Sequence, residues 1–306
     1  MKVLVIGQGS IGKRHARILR EEGHSVATVS RFPQEGFPNH QTIEEACREF
    51  APGYVVIANR THEHLEALRH LAATGFSGTV LVEKPLSAVP AGLPRLDFRR
   101  ALVAYNLRFH PLLQRLSEKL RDEQLISVQI YAGQYLPDWR PQSDYRAAYS
   151  SHRAEGGGVL LDLSHEADYL LWLCGGWKRV TGIAGHFSPL EIDSEDLGMF
   201  LAETEGCPAA SVQVNYLDRK GFREVIVNTR SHTFRVNLVE GTFQEDGVTE
   251  HLAVDRDYTY RAMHRSVLED EQTICCDISQ GMEICRFIDA IKRSSHKGVW
   301  ITSHEA

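Results

Sequence analysis

Six residues near the start constrain this chain more than any others: Gly7-Gln8-Gly9-Ser10-Ile11-Gly12. They follow a continuous apolar run, 2–7, and open a stretch of helical periodicity, 11–22, with Ile11, Ala16, Ile18 and Leu19 on one face and Gly23 at its end. A run that is apolar throughout suits a strand buried on both faces. Between such a strand and helix, the first glycine permits a tight turn, the second lets backbone approach a pyrophosphate, and the third lets helix and strand pack closely. The helix start then offers unpaired N–H groups and the positive end of its dipole to the phosphates. Gly7, Gly9, Ser10, Ile11 and Gly12 are therefore candidate dinucleotide-binding residues.

The alternation continues. Strands are expected at 25–30, 53–58, 78–83 and 102–105, and helices at 42–50 and 63–74; Thr42 and Glu45 form a capping box for the first of these helices. This order implies a parallel sheet with right-handed crossovers. Past residue 106 the rhythm changes. A helix at 111–121 and a strand at 126–131 lead into a polar, aromatic stretch, 134–155. Gly156-Gly157-Gly158 then opens an apolar helix, 159–174. Strands follow at 181–187, 197–203, 209–217, 223–228, 232–238 and 241–244, with Glu205-Gly206 and Asp246-Gly247 as hairpin turns, and a last helix at 280–292. The expected architecture is an N-terminal Rossmann doubly wound parallel sheet, residues 1–106, plus a C-terminal α/β domain with a large, mostly antiparallel open sheet, residues 107–306.

Composition removes several classes of function. Against 34 Lys+Arg stand 40 Asp+Glu, a net charge of −6, so no broad basic face is available for nucleic acid. No apolar run reaches the ~18 residues of a membrane span, and residues 1–7 are too short an apolar stretch for a signal peptide. The six cysteines form no CxxC pair and no zinc spacing, which points to reduced thiols, a cytoplasmic protein and no metal.

The candidate chemistry lies at strand ends and on one helix. The second strand closes on Val29-Ser30-Arg31, with no carboxylate to accept bonds from a ribose 2′-hydroxyl. Ser30 and Arg31 suit a 2′-phosphate, so NADP is favoured over NAD. Pro85 biases Lys84 to an extended conformation at the carboxyl end of a strand, where open α/β sheets bind ligands. An ammonium there can bind a substrate hydroxyl and stabilise alkoxide character, while Glu83 orients Lys84 or its loop. Asp162 and His165, three apart, share a face of the expected 159–174 helix. His165 is a natural general acid/base, and Asp162 would contact substrate or tune the site. Asn106 and Arg108 stand where the first half gives way to the second and are candidate substrate contacts, with an interdomain ion pair equally open for Arg108. Trp139, Arg140, Tyr145 and Arg146 have the makings of a substrate loop, with aromatic faces for a sugar ring and guanidinium groups for an anion.

Taken together, the glycine turn, Glu83-Lys84-Pro85, and Gly156-Gly157-Gly158 with Asp162 and His165 resemble the Gfo/Idh/MocA family (glucose–fructose oxidoreductase, inositol dehydrogenase, rhizopine catabolism). The resemblance covers essentially the whole chain. It implies a Rossmann domain, an open-sheet domain, NAD(P)-dependent redox chemistry on sugars or related polyols, and dimers or tetramers formed through the open sheet. It also aligns His64 of Thr61-His62-Glu63-His64 with a family position and sets Asn59, Thr61 and Glu83 beside the cofactor. One departure stands out. The family's aspartate precedes its histidine by four residues, whereas Asp162 precedes His165 by three, which leaves the role of Asp162 open and admits Glu166 as a further substrate contact. A narrower likeness points toward members near nonulosonic-acid or nucleotide-sugar biosynthesis. The expected activity is hydride transfer between a nicotinamide and a hydroxyl-bearing carbon of a sugar, nucleotide sugar or sugar acid. A glycosidase-like enzyme using transient NAD oxidation and a non-enzymatic nicotinamide-binding sensor remain open beside it.

Overall fold

The computed structural model describes residues 1–93, 95–269 and 274–305. They form two compact units: Met1–Phe109 with Arg256–Met282, and His110–Asp255 with Glu283–Ala306.

The first stretch of the first unit holds β1 (Lys2–Ile6), α1 (Ser10–Glu21), β2 (Ser25–Val29), β3 (Asn39–His40), α2 (Ile43–Glu49), β4 (Tyr54–Ile57), α3 (His64–Ala73), β5 (Thr79–Val82) and β6 (Arg100–Val103). All pair in parallel, in the order β3-β2-β1-β4-β5-β6. This is the doubly wound order, whose direction reverses between β1 and β4. Every residue of β4, and all of β1 after Lys2, is buried, which is why both read as unbroken apolar runs. The capping of α2 is real but stretched: Thr42 Oγ1 accepts from Glu45 N–H at 3.0 Å, and the Glu45 carboxylate accepts from Gln41 N–H at 2.7 Å, one residue further back than a capping box requires. Strand β6 begins two residues before the expected 102–105 because Arg100 pairs in register with Thr79. Ala104 and Tyr105 stay buried after the pairing ends, which is why they read as strand.

The second unit contains α4 (Pro111–Leu120), β7 (Leu125–Gly133), α5 (Val159–Asp162), α6 (His165–Cys174), β8 (Trp177–Gly185), β9 (Leu197–Thr204), β10 (Ala210–Asn215), β11 (Phe222–Thr229), β12 (Thr233–Asn237), β13 (Thr242–Glu245) and β14 (Val248–His251). The chain then returns to the first unit with α7 (Tyr258–Leu268) and β15 (Cys276–Asp277), the latter antiparallel to β6. Helix α8 (Ile278–Lys297) and β16 (Ile301–Thr302) follow. The second sheet runs β14-β13-β12-β11-β7-β10-β9-β8-β16, antiparallel throughout except between β7 and β10. Along β9 the burial alternates: Gly198, Phe200, Ala202 and Thr204 are buried, while Met199 and Leu201 are exposed. The inner face packs on helices, with Phe200 edge-on to Phe287 of α8 at 5.5 Å. Burying each such ring contributes roughly 1.5–3 kcal/mol.

The expected single helix over 159–174 is two helices. Leu163 leaves the helical conformation (φ −98°, ψ 37°), and α6 starts afresh at His165. Asp162 and His165 therefore do not share the face of one helix. Two buried carboxylates need partners on different segments: Asp162 bonds Tyr216 just beyond β10, and Glu166 pairs with Arg223 of β11. Meeting both demands outweighs the continuity of the apolar pattern.

Candidate functional site

In the first unit, the turn after β1 is shaped for close approach. Gly7 has φ +94°, and a Cβ on it would lie 2.6 Å from Ala58 O and Asn59 N. A Cβ on Gly12 would lie 2.1 Å from Gly7 O, whereas one on Gly9 would meet nothing within 4 Å. The turn is thus closed toward the sheet and open on the side of Gly9. Helix α1 has no side-chain cap and no acidic residue in its first turn, so its N–H groups at Ser10 and Ile11 are unopposed by local negative charge. Two neighbouring amides reinforce the pattern. Gln8 is 6% exposed with neither side-chain atom hydrogen-bonded, and Asn59 Oδ1, at the end of β4, has no partner among the described residues. Buried unpaired amides are costly, and a polar ligand would satisfy them. The residues present fit a dinucleotide.

At the end of β2, Ser30 Oγ accepts from Phe32 N–H at 3.0 Å and Asn39 Nδ2 donates to Ser30 O at 3.2 Å, which fixes the turn. Arg31 is exposed, with no hydrogen bond among the described residues. Thr61 is buried in a short 3-10 turn. His64 is buried with Nδ1 3.0 Å from Pro85 O and Nε2 3.2 Å from Asn59 O, and burial pushes its pKa down. Its ring ties the end of β4 to the Lys84-Pro85 turn, so its ring atoms face protein carbonyls. Lys84 is half-buried just past β5 and joined to Pro85 by a cis peptide bond. Glu83 is buried and accepts from Lys84 N–H at 3.0 Å and from His15 Nε2 at 2.8 Å. Burial opposes its charge, but the His15 hydrogen bond, the electrostatic attraction of the His15 ring and then of Lys84, and the Lys84 N–H outweigh it and hold Glu83 below the usual carboxylate range.

Asn106 and Arg108 are engaged within their own unit. Asn106 Nδ2 donates to Thr259 Oγ1 at 2.6 Å, and Arg108 donates to Gln280 Oε1 at 2.9 Å, so both hold the returning segment.

In the second unit, Asp162 accepts from Tyr216 O–H at 2.7 Å, and Tyr149 also turns its hydroxyl to it. The Asp162 charge raises the pKa of Tyr149, and burial followed by the same charge raises that of Tyr216. Both therefore remain hydroxyl donors. Trp139 packs edge-on to Tyr216 at 5.3 Å, and the Arg140 charge reaches Tyr149. The glycine run makes this possible: a Cβ on Gly157 would lie 2.2 Å from Tyr149 O, so only glycine lets the loop settle here. His165 is 8% exposed at the first turn of α6. Glu166 lies deeper, with Oε1 2.8 Å from Arg223 Nε and accepting from Tyr169 O–H at 3.1 Å. His110, buried beside Arg223, has its pKa lowered to about 4 by burial and then by that positive charge.

The aromatic loop divides. Trp139 and Arg140 join the Asp162 cluster. Arg146 is exposed and paired with Asp144 at 2.9 Å and Glu191 at 3.1 Å, and the Tyr145 hydroxyl accepts from Glu191 N–H at 3.2 Å. Sequence reading missed Tyr216, Arg223, His15 and His264, whose partners lie far away in the chain and leave no local spacing to read. Among the described residues one group could approach a metal ion, His40, Glu45 and Glu49; it is partly exposed, and Glu45 is already committed to Gln41.

Known proteins share this fold. Residues 113–244 match the model of the GFO/IDH/MocA C-terminal domain. The chain is similar in fold to GenD2 from gentamicin A biosynthesis, solved in complex with NAD, at 20% identity over 99% of this chain and 96% of that one, TM-score 0.81. It is similar to a levoglucosan dehydrogenase solved with NADH and levoglucosan, at 16% identity over 100% of both chains, TM-score 0.83. It is also similar to the WlbA dehydrogenase from Bordetella pertussis, solved with NADH and UDP-GlcNAcA, at 19% identity over 98% of each chain, TM-score 0.78. No curated protein matches the sequence.

Proposed function

This chain carries the C-terminal domain of the Gfo/Idh/MocA family behind a Rossmann unit, and from that premise we propose that it is an NAD(P)-dependent oxidoreductase acting on a hydroxyl-bearing carbon of a sugar, nucleotide sugar or sugar acid. The observation that carries the proposal is the turn at Gly7–Gly12, open at Gly9, with the unpartnered amides of Gln8 and Asn59 beside it. The backbone N–H groups of Ser10 and Ile11 would hold the pyrophosphate, and those two amides would reach the rest of the dinucleotide. The nicotinamide, when bound, gives or takes the hydride. Lys84 donates a hydrogen bond to the reacting oxygen and favours its developing negative charge. His165 takes or returns the hydroxyl proton. Asp162, fixed by Tyr216, orients a substrate hydroxyl; Trp139 offers a ring face and Arg140 a charge for an anionic group.

Cofactor preference rests on two opposed supports. The solved relatives above hold NAD or NADH. Exposed Arg31 and the absence of a carboxylate at the end of β2 favour the 2′-phosphate of NADP, and we take NADP as the preferred cofactor of this chain. Exposed Ile183, Met199 and Leu201 on the outer sheet face are the surface for a second copy of the chain.

An absorbance screen at the nicotinamide band, with both cofactors and a panel of sugars, sugar acids and nucleotide sugars, tests the reading. Turnover with one class is expected, with Lys84→Ala lowering it by about 10²-fold or more. Binding of neither cofactor would overturn it. Arg31→Ala should weaken NADP by about ten- to a hundredfold and leave NAD unchanged, since a lost charge-assisted pair is worth roughly 1.5–3 kcal/mol.

A further inference from the structure

A line of buried polar side chains crosses the core of the first unit and ends at Glu83. Tyr54 of β4, His264 of α7 and His15 of α1 are each 0% exposed, and Glu83 is 8% exposed. Tyr54 Oη lies 2.9 Å from His264 Nδ1, His264 Nε2 lies 2.8 Å from His15 Nδ1, and His15 Nε2 lies 2.8 Å from Glu83 Oε1. Glu83 Oε2 then receives the N–H of Lys84 at 3.0 Å.

The proton positions follow from counting donors. Burial keeps His264 neutral and Tyr54 a phenol, so each has one proton to give. Glu83 is a carboxylate and can only accept. One arrangement satisfies every link: Tyr54 O–H donates to His264 Nδ1, His264 Nε2–H to His15 Nδ1, and His15 Nε2–H to Glu83. The reverse polarity would have Tyr54 accept from His264 and leave its own hydroxyl proton buried with no acceptor among the described residues, at a cost of roughly 1–3 kcal/mol. Other charged or titratable groups face this line. Arg14 and Tyr260 flank His15, with Arg14 stacked 4.2 Å over the Tyr260 ring; His64 faces Glu83; Arg100 and Cys275 face Tyr54; His24 faces His264.

We propose that Tyr54, His264 and His15 are positioning residues. Their one-way hydrogen-bond chain keeps Glu83 anionic, and Glu83 in turn fixes the Lys84 backbone and favours the charged form of its side chain. All three donors point the same way, so each bond strengthens the next. The chain also ties the phosphate-facing helix α1 to the strand end that carries Lys84. The proposal rests on the catalytic reading of Lys84 given above.

The test uses the full chain without cofactor or substrate. Long-range ¹H–¹⁵N spectra at about pH 8 report which nitrogen of each ring carries a proton. Both His15 and His264 should carry a single proton, on Nε2. A doubly protonated His15, or an Nδ1-protonated His264, overturns the chain. Reductive ¹³C-methylation then follows Lys84, its signal assigned by its absence in Lys84→Arg. In Glu83→Gln, Lys84 should lose its proton at a pH lower by about one. Tyr54→Phe, which keeps the ring volume and needs no refolding of the core, should give a smaller shift in the same direction. Identical Lys84 titration in the wild type and both variants makes the line simple core packing and sinks the proposal. These readouts need no turnover. A Lys84→Ala protein with undiminished turnover would defeat the catalytic reading while leaving the ring tautomers as found, so the two failures are distinguishable.

Discussion

Each unit buries a glutamate next to the side chain given a reactive role: Glu83 before Lys84 and Glu166 after His165. The two are held by different means. Glu83 is stabilised by the His15 ring and a backbone N–H, with the Lys84 charge nearby, while Glu166 meets the full charge of Arg223 and the hydroxyl of Tyr169. A carboxylate held by dipoles tolerates loss of one donor, because the others remain. One held by a single cation in a buried place does not, since removing the cation leaves a charge that water cannot reach. The difference suits Lys84, whose ammonium a second cation beside Glu83 would repel.

Four measurements press on this contrast. The largest effect should come from Arg223→Ala, which strands Glu166: a loss of about 3–5 kcal/mol in urea unfolding, largely restored in Arg223→Ala/Glu166→Gln. A loss under about 1 kcal/mol would erase the contrast. His110 comes next. Its folded pKa of about 4 lies below the unfolded value of about 6.5, so the unfolded state binds the extra proton between them. Stability should fall by about 3 kcal/mol as the pH drops from about 6.5 to about 4, and His110→Gln should flatten that slope in pH-resolved melting curves. Glu83→Gln should then cost about 1–2 kcal/mol at neutral pH. Because the Glu83 pKa is depressed, its contribution is present above the unfolded value near about 4.3 and vanishes as the pH falls through the folded one, so mutant and wild type should converge in acid. The smallest effect belongs to the exposed Arg146–Asp144 pair: Asp144→Ala should barely move the urea midpoint, and less still in high salt. A larger loss there would mean that exposure is a poor guide to how these charges are held.

Local signals explain what could be read from the chain beforehand. The parallel strands, α1 with its glycine turn and the hairpin at Asp246-Gly247 are each specified by neighbours in sequence, and they formed as expected. The segment from Arg256 to Met282 was not legible. Three of the five buried positions of α7 are Thr259, His264 and Ser266, so its inward face carries no apolar period to detect. The break at Leu163 was equally silent, because its cause lies on β11 and after β10 rather than in the helix itself. For the proposed site, the choice of strand-end residues rests on the rule that ligands gather there. Tyr216, which holds Asp162, was not, since nothing near residue 162 announces a tyrosine so far along the chain.

The return of Arg256–Met282 to the first unit has a consequence for biosynthesis. On the ribosome, the glycine turn and Glu83 emerge early, but His264 cannot reach His15 until all of residues 110–255 have been translated. The nucleotide half must therefore wait, with one sheet edge and a polar core uncovered, while the other half is made. Nascent chains stalled before residue 256 should be open to protease at the exposed β6 edge, and closing that edge is the late step that completes the first unit.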